Sequence, residues 1–71
     1  MYKIRDLQFN YDKYFADGKI FKNKRDVCEQ LISYHSADCD MKIEQKLLDE
    51  GKIDECWNEL SQFNWGLEKV K

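Results

Sequence analysis

Apolar periodicity along the chain predicts a small α+β fold: a three-stranded antiparallel sheet, built from strands near both termini plus a hairpin, with two to three helices on one face. Three observations carry the prediction. Alternation of period two opens the sequence at Tyr2 and Ile4 and closes it at Phe63, Trp65 and Leu67. An Asp17-Gly18 pair stands between Tyr14-Phe15 and Ile20-Phe21, where it supplies the positive φ angles of a tight hairpin turn. Between these strand signals, apolar residues recur at helical spacing. The length of 71 residues fits one domain spanning 1–71 and excludes barrels and doubly wound sheets. With 42% hydrophobic residues and ten aromatics, the chain carries the groups that disordered segments lack.

The elements follow in order. Tyr2 and Ile4 share a face, and Leu7 and Phe9 follow after a change of phase near Asp6, which reads as a bulge or a strand end. In the hairpin, Phe15 faces Ile20 and Tyr14 faces Phe21. Asn23 is a strong N-cap, and Asp26 favours the positive end of the helix that runs from Lys24 to about Ala37. Val27, Cys28, Leu31, Ile32 and His35 form its apolar stripe. Asp38 or Asp40 caps a second helix bearing Met41, Ile43, Leu47 and Leu48, and Gly51 stops it by accepting the left-handed conformation. Asp54 caps a third, short helix with Cys56, Trp57 and Leu60. The final strand pairs beside the first and ties down both ends of the chain.

Charge and cysteine usage narrow the setting. No apolar run reaches the ~20 residues of a membrane span, and the start Met1-Tyr2-Lys3-Ile4-Arg5-Asp6 has no signal-peptide core. Three cysteines are an odd number for a disulfide framework, so reduced thiols in a cytoplasm are the expectation. The net charge of −2 hides a split. Residues 1–35 hold seven Lys/Arg against five Asp/Glu, whereas residues 36–71 hold five against nine. A phosphate-gripping protein is usually basic overall.

Four constellations compete for a function. Cys28, His35, Cys39 and Cys56 have the ligand count of a Cys₃His zinc site, and a continuous helix would place the first three on one stripe. The short C-x₂₋₄-C knuckle is absent, however, and that stripe is also the apolar face, so buried thiols are favoured and no cofactor is expected. A nucleophilic pair of His35 with Cys28 or Cys39 lacks a glycine-rich or strained turn to hold an oxyanion. Lys19, Lys22, Lys24 and Arg25, near Tyr11, Tyr14, Phe15 and Phe21, make the best nucleic-acid candidate, against the simpler reading of a soluble sheet edge over a hairpin core. Finally, Glu44, Asp49, Glu50, Glu55 and Glu59, with Trp57 as an aromatic anchor, form an acidic helical face suited to a protein partner. Ten aromatics exceed what a small core encloses, so some of Tyr2, Tyr11, Tyr14, Tyr34, Trp57 and Trp65 are expected at the surface. A homodimer that completes its own core is the plainer alternative.

The run Asp17-Gly18-Lys19-Ile20-Phe21, then Lys24, then Glu29-Gln30-Leu31-Ile32-Ser33-Tyr34-His35, and the ending Asn64-Trp65-Gly66-Leu67-Glu68, resembles small uncharacterised proteins of bacteriophages and prophages of Gram-positive bacteria. The resemblance rests on no catalytic motif. It implies a setting in the host cytoplasm, where compact phage proteins bind and inhibit host or defence proteins. The expected function is therefore non-enzymatic protein binding, as an inhibitor or modulator of a host or defence protein, a class that includes nucleic-acid-handling machines such as a CRISPR effector. Nucleic-acid binding is the alternative, and a zinc-stabilised homodimer the third reading.

Overall fold

A computed structural model describes residues 1–7 and 18–70. Among these the order is β1 (Tyr2–Asp6), β2 (Ile20–Phe21), α1 (Lys24–His35), α2 (Lys42–Asp49), α3 (Ile53–Leu60), a 3₁₀ turn (Ser61–Phe63) and β3 (Trp65–Lys69). The expected α+β fold is observed. The antiparallel sheet has the order β2-β1-β3, so the two ends of the chain are neighbours in its centre and at its edge.

β1 and β3 pair over their whole length, from Tyr2 opposite Lys69 to Asp6 opposite Trp65. Residues directly opposite share a face. Tyr2, Ile4, Asp6, Trp65 and Leu67 therefore look one way, and Lys3, Arg5, Gly66 and Glu68 the other. Ile4, Asp6 and Trp65 are buried while Arg5 and Glu68 are exposed, so the first face is the one the helices cover. On the opposite face the Leu7 side chain lies across Gly66: a Cβ added there would sit 3.0 Å from Leu7 Cδ2.

Ile20 and Phe21 pair with Lys3 and Tyr2 of β1. The expected partners Phe15 and Tyr14, with Phe9, Tyr11 and Asp17, lie outside the described residues. Gly18 has φ of +79°, the region a tight turn requires, and its N–H donates to the Ile4 carbonyl at 2.7 Å.

α1 begins where its cap dictates: Asn23 is extended and its side chain accepts the Asp26 N–H at 2.9 Å. It ends at His35, two residues earlier than the spacing predicts, and the chain turns through Ser36–Asp38. Cys39 thus leaves the helix and is exposed, so the expected stripe of Cys28, His35 and Cys39 does not form. α2 starts at Lys42 with Met41 in the N-cap position, so neither Asp38 nor Asp40 is its cap; Asp40, one residue further out, still accepts the Lys42 N–H at 3.0 Å. Its far end is a complete Schellman turn. Gly51 N–H donates to the Leu48 carbonyl at 3.0 Å, Lys52 N–H to the Leu47 carbonyl at 2.9 Å, and Gly51 has φ of +78°. Asp54 is not the cap of α3. The helix begins one residue before it, and its carboxylate pairs instead with Lys24 Nζ at 2.8 Å, joining the starts of α1 and α3.

α1 rests on β1 and β2, and α2 and α3 pack against α1 and each other. The core joins Ile4 and Trp65 of the sheet to Val27, Cys28, Leu31, Ile32, Met41, Leu48, Cys56 and Leu60. Ile43, expected with this set, is 66% exposed. It lies five residues from Leu48, roughly 140° round the helix, and Met41 turns into the core in its place. Trp65, one of the six aromatics of which some are expected at the surface, is 2% exposed, and its indole N–H finds an acceptor inside the protein, in His35. Among the described residues no helix is long and apolar enough to cross a membrane.

Candidate protein-docking face

The Schellman turn fixes α2 and α3 as a hairpin, and this hairpin carries all six expected partner-binding residues. It does not bring them into one patch. Trp57 is two positions from both Glu55 and Glu59, roughly 160° away round α3, so anchor and acids occupy opposite flanks. Trp57 is half-buried and packs against the core. Glu44 and Glu59 are also half-buried, and both lie close enough to Cys56 for their charge to push its thiol pKa up, behind the larger effect of burial. Of the five acids, the exposed ones are Asp49, Glu50 and Glu55. Asp49 accepts from Gln45 Nε2 at 2.8 Å, Glu50 pairs with Lys52 at 3.4 Å, and Glu55 has no ion-pair partner among the described residues.

The structure adds Ile43, which apolar spacing places in the core but which points outward. Ile43, Leu47 and Glu50 lie at i, i+4 and i+7, on one stripe of α2 and its C-cap. Ile43 is exposed, Leu47 half-buried and Glu50 exposed, so the stripe grades from an apolar end to a charged one. The spacing alone leaves this open: Ile43 and Leu48 stand about 140° apart on a helix, and whether both are covered depends on how α3 packs.

The basic candidates are partly neutralised within the fold. Lys24 is bound to Asp54, and Arg25 Nε lies 3.3 Å from Glu29. Lys19 Nζ sits 5.5 Å from the Phe21 ring centroid, over its face, and Lys22 is exposed without an ion pair among the described residues. Two of the four cations are thus already committed to carboxylates. Tyr11, Tyr14 and Phe15, the aromatics meant to stack bases beside them, lie outside the described residues.

The zinc set is dispersed, and among the described residues no group of three or more His, Cys, Asp or Glu side chains is placed to hold a metal. Cys28 and Cys56 do meet, where α1 and α3 pack, and both are fully buried. Their thiols are close enough to shift each other's pKa, and Cys56 Sγ donates to the Glu44 carbonyl at 3.3 Å. Burial first, then Cys56 itself, pushes the Cys28 thiol up to about 12. A thiol so held is a poor nucleophile, because the thiolate is the reactive form. His35 is engaged elsewhere: its Nε2 accepts from Trp65 Nε1 at 2.8 Å, and its ring stacks on Phe63 at 4.1 Å. Neither of the Cys–His pairs weighed from the sequence is assembled. Among the described residues no pocket opens at the surface.

No family model, curated protein or solved structure matches the chain.

Proposed function

We propose that the protein is a non-enzymatic binding module that docks the outer side of its α2–α3 hairpin onto a basic surface of another protein. The observation that carries this reading is the α2 stripe, in which Ile43, 66% exposed, shares a line with Leu47 and Glu50. An exposed isoleucine on a helix locked in place by a Schellman turn gives a rigid apolar contact, and rigid contacts lose little entropy on binding. Asp49, Glu50 and Glu55 around it favour a cationic partner and act mainly on encounter rate and salt dependence. Ile43 replaces Trp57 as the anchor. The partner that fits is a host or defence protein with a basic groove, of the kind that nucleic-acid-handling machines present, and a phage-type inhibitor is the role in keeping with it.

The test is capture from host cytoplasm by immobilised wild-type protein, by Ile43→Ser, and by Asp49→Asn/Glu50→Gln/Glu55→Gln. The proposal expects one protein retained by the wild type, lost with Ile43→Ser, and retained more weakly and with less salt dependence by the triple variant. Equal retention by all three proteins overturns it. So does a salt-sensitive gel shift with single- or double-stranded DNA that Lys19→Ala/Lys22→Ala abolishes, since that result assigns the function to the basic end.

A further inference from the structure

We propose that His35 and Trp65 form a proton-operated latch on the C-terminal strand: the neutral imidazole accepts the Trp65 indole N–H and holds the start of β3 on the core, and a proton at His35 Nε2 releases it. The inference is independent of the docking face.

The geometry permits one protonation state. Indole Nε1 carries a hydrogen and can only donate. At 2.8 Å from it, His35 Nε2 must be the bare nitrogen, which assigns the proton of the neutral ring to Nδ1. Placing a second proton on Nε2 sets two donors against each other inside the core, where His35 is 6% and Trp65 2% exposed. The aromatic shell leaves the ring little room to turn away. Phe63 stacks on it at 4.1 Å and 24°, and Tyr34 meets it edge-on at 5.0 Å.

Charges around the ring act in both directions. Burial opposes the cation and is the largest influence, holding the His35 pKa below its ordinary value. Asp38, in the turn after α1, and Glu44, on α2, favour the cation but do not prevail. The C-terminal end of α1 adds a favourable dipole, because His35 is its last residue. From the 3₁₀ turn and β3 the ring faces Phe63 and Trp65, and on β1 the buried Asp6 lies opposite Trp65. The sign follows from the lowered pKa. The released state, with an ordinary histidine near ~6.5, binds the proton more tightly, so release is favoured as pH falls below that value.

What is released is set by the strand's attachments. Trp65 is the first residue of β3 and follows Asn64, which holds the left-handed conformation at φ of 67°. The other end of β3 is secured independently, where Val70 N–H donates to the Met1 carbonyl at 2.8 Å. The helices are joined elsewhere, through Cys28, Cys56 and Glu44. Beside the indole, Leu7 N–H donates to the Asn64 carbonyl at 3.0 Å. The proton therefore loosens the Trp65 side chain first, and the Asp6–Trp65 end of the sheet frays through that remaining bond before the helical layer does.

The test follows the ¹⁵N-labelled full chain by NMR from pH 8 to pH 5. The latch expects an acceptor-type Nε2 imidazole shift at pH 8. It also expects the Trp65 indole and early β3 amides to lose hydrogen-exchange protection by up to tenfold per pH unit below ~6.5 while Leu31 and Ile32 amides stay protected. His35→Gln, which keeps an acceptor that does not titrate, removes the pH dependence over this range. A protonated Nε2 at pH 8 overturns the proposal in wild-type protein alone. Simultaneous loss of β3 and α1 protection, or the same acid response in His35→Gln, also overturns it.

Discussion

Gly51 is the residue on which the docking hairpin turns, and its replacement isolates one physical effect. At φ of +78° an alanine must adopt the left-handed conformation, yet an added Cβ meets nothing within 4 Å. Steric exclusion by neighbours contributes nothing, so the cost is conformational. The left-handed region costs an L-residue about 1–2 kcal/mol, while the reduced freedom of the unfolded chain returns about 0.4–1 kcal/mol. A net destabilisation of about 1 kcal/mol follows for Gly51→Ala. In a domain of this size that lowers Tm by about 4–8 °C. It is a substantial part of the ~3–5 kcal/mol a single core of this length supplies. Urea unfolding followed by circular dichroism measures it, with the slope unchanged because the exposed surface is unchanged. D-alanine at the same position, introduced by chemical synthesis, is expected to match or exceed wild-type stability, since its preferred φ has the opposite sign. Gly66→Ala is the counter-control. Its φ is not positive, and the close contact is with Leu7, an exposed and movable side chain, so its effect should stay within about 0.5 kcal/mol. A Gly51→Ala protein as stable as wild type would refute the reasoning.

Three further outcomes are expected. In native protein at pH 8 an aromatic disulfide reagent should label Cys39 alone and reach all three cysteines only in denaturant, because a Cys28 thiol near 12 is ionised to about one part in ten thousand; fast labelling of two or three thiols contradicts the buried pair. Asn23→Ala should cost about 1 kcal/mol in chemical unfolding through loss of the Asp26 N–H acceptor, and Asn23→Asp should retain most of it; equal losses in both variants would reject the capping role. A double-mutant cycle on Lys24 and Asp54 should give a coupling below about 1 kcal/mol that fades in 1 M salt, since the aspartate is 87% exposed; a large, salt-insensitive coupling would mean the pair is buried in solution.

How much of this was legible in the sequence depends on the range over which each residue acts. Asn23 and Gly51 act within four residues of themselves, and cap and Schellman turn appear where local rules place them. The pairing of β1 with β3 was also readable, because alternation at both ends leaves each strand needing a partner. Asp54 departs from the expected capping role because two uses compete for one carboxylate. Capping is the local one, but Lys24, thirty residues away, takes it. Trp65 and His35 are likewise thirty residues apart, and no local pattern announces that an indole and an imidazole will satisfy each other in the core. The candidate site was readable in kind rather than arrangement. Composition placed the acids on the second half of the chain. Only the helical angles show that Trp57 stands on the flank away from Glu55 and Glu59, and that Ile43 looks outward beside Glu50.

The docking proposal meets its most direct test in chemical-shift mapping of the ¹⁵N-labelled protein against the captured partner, with cross-saturation to identify the contact. The expected footprint centres on Ile43, Leu47 and Glu50, extends to Asp49 and Glu55, and leaves the Lys19–Lys22 end unperturbed. A footprint centred on Lys19 and Lys22, or on the sheet face of Arg5 and Ile20, would contradict docking through the helical hairpin.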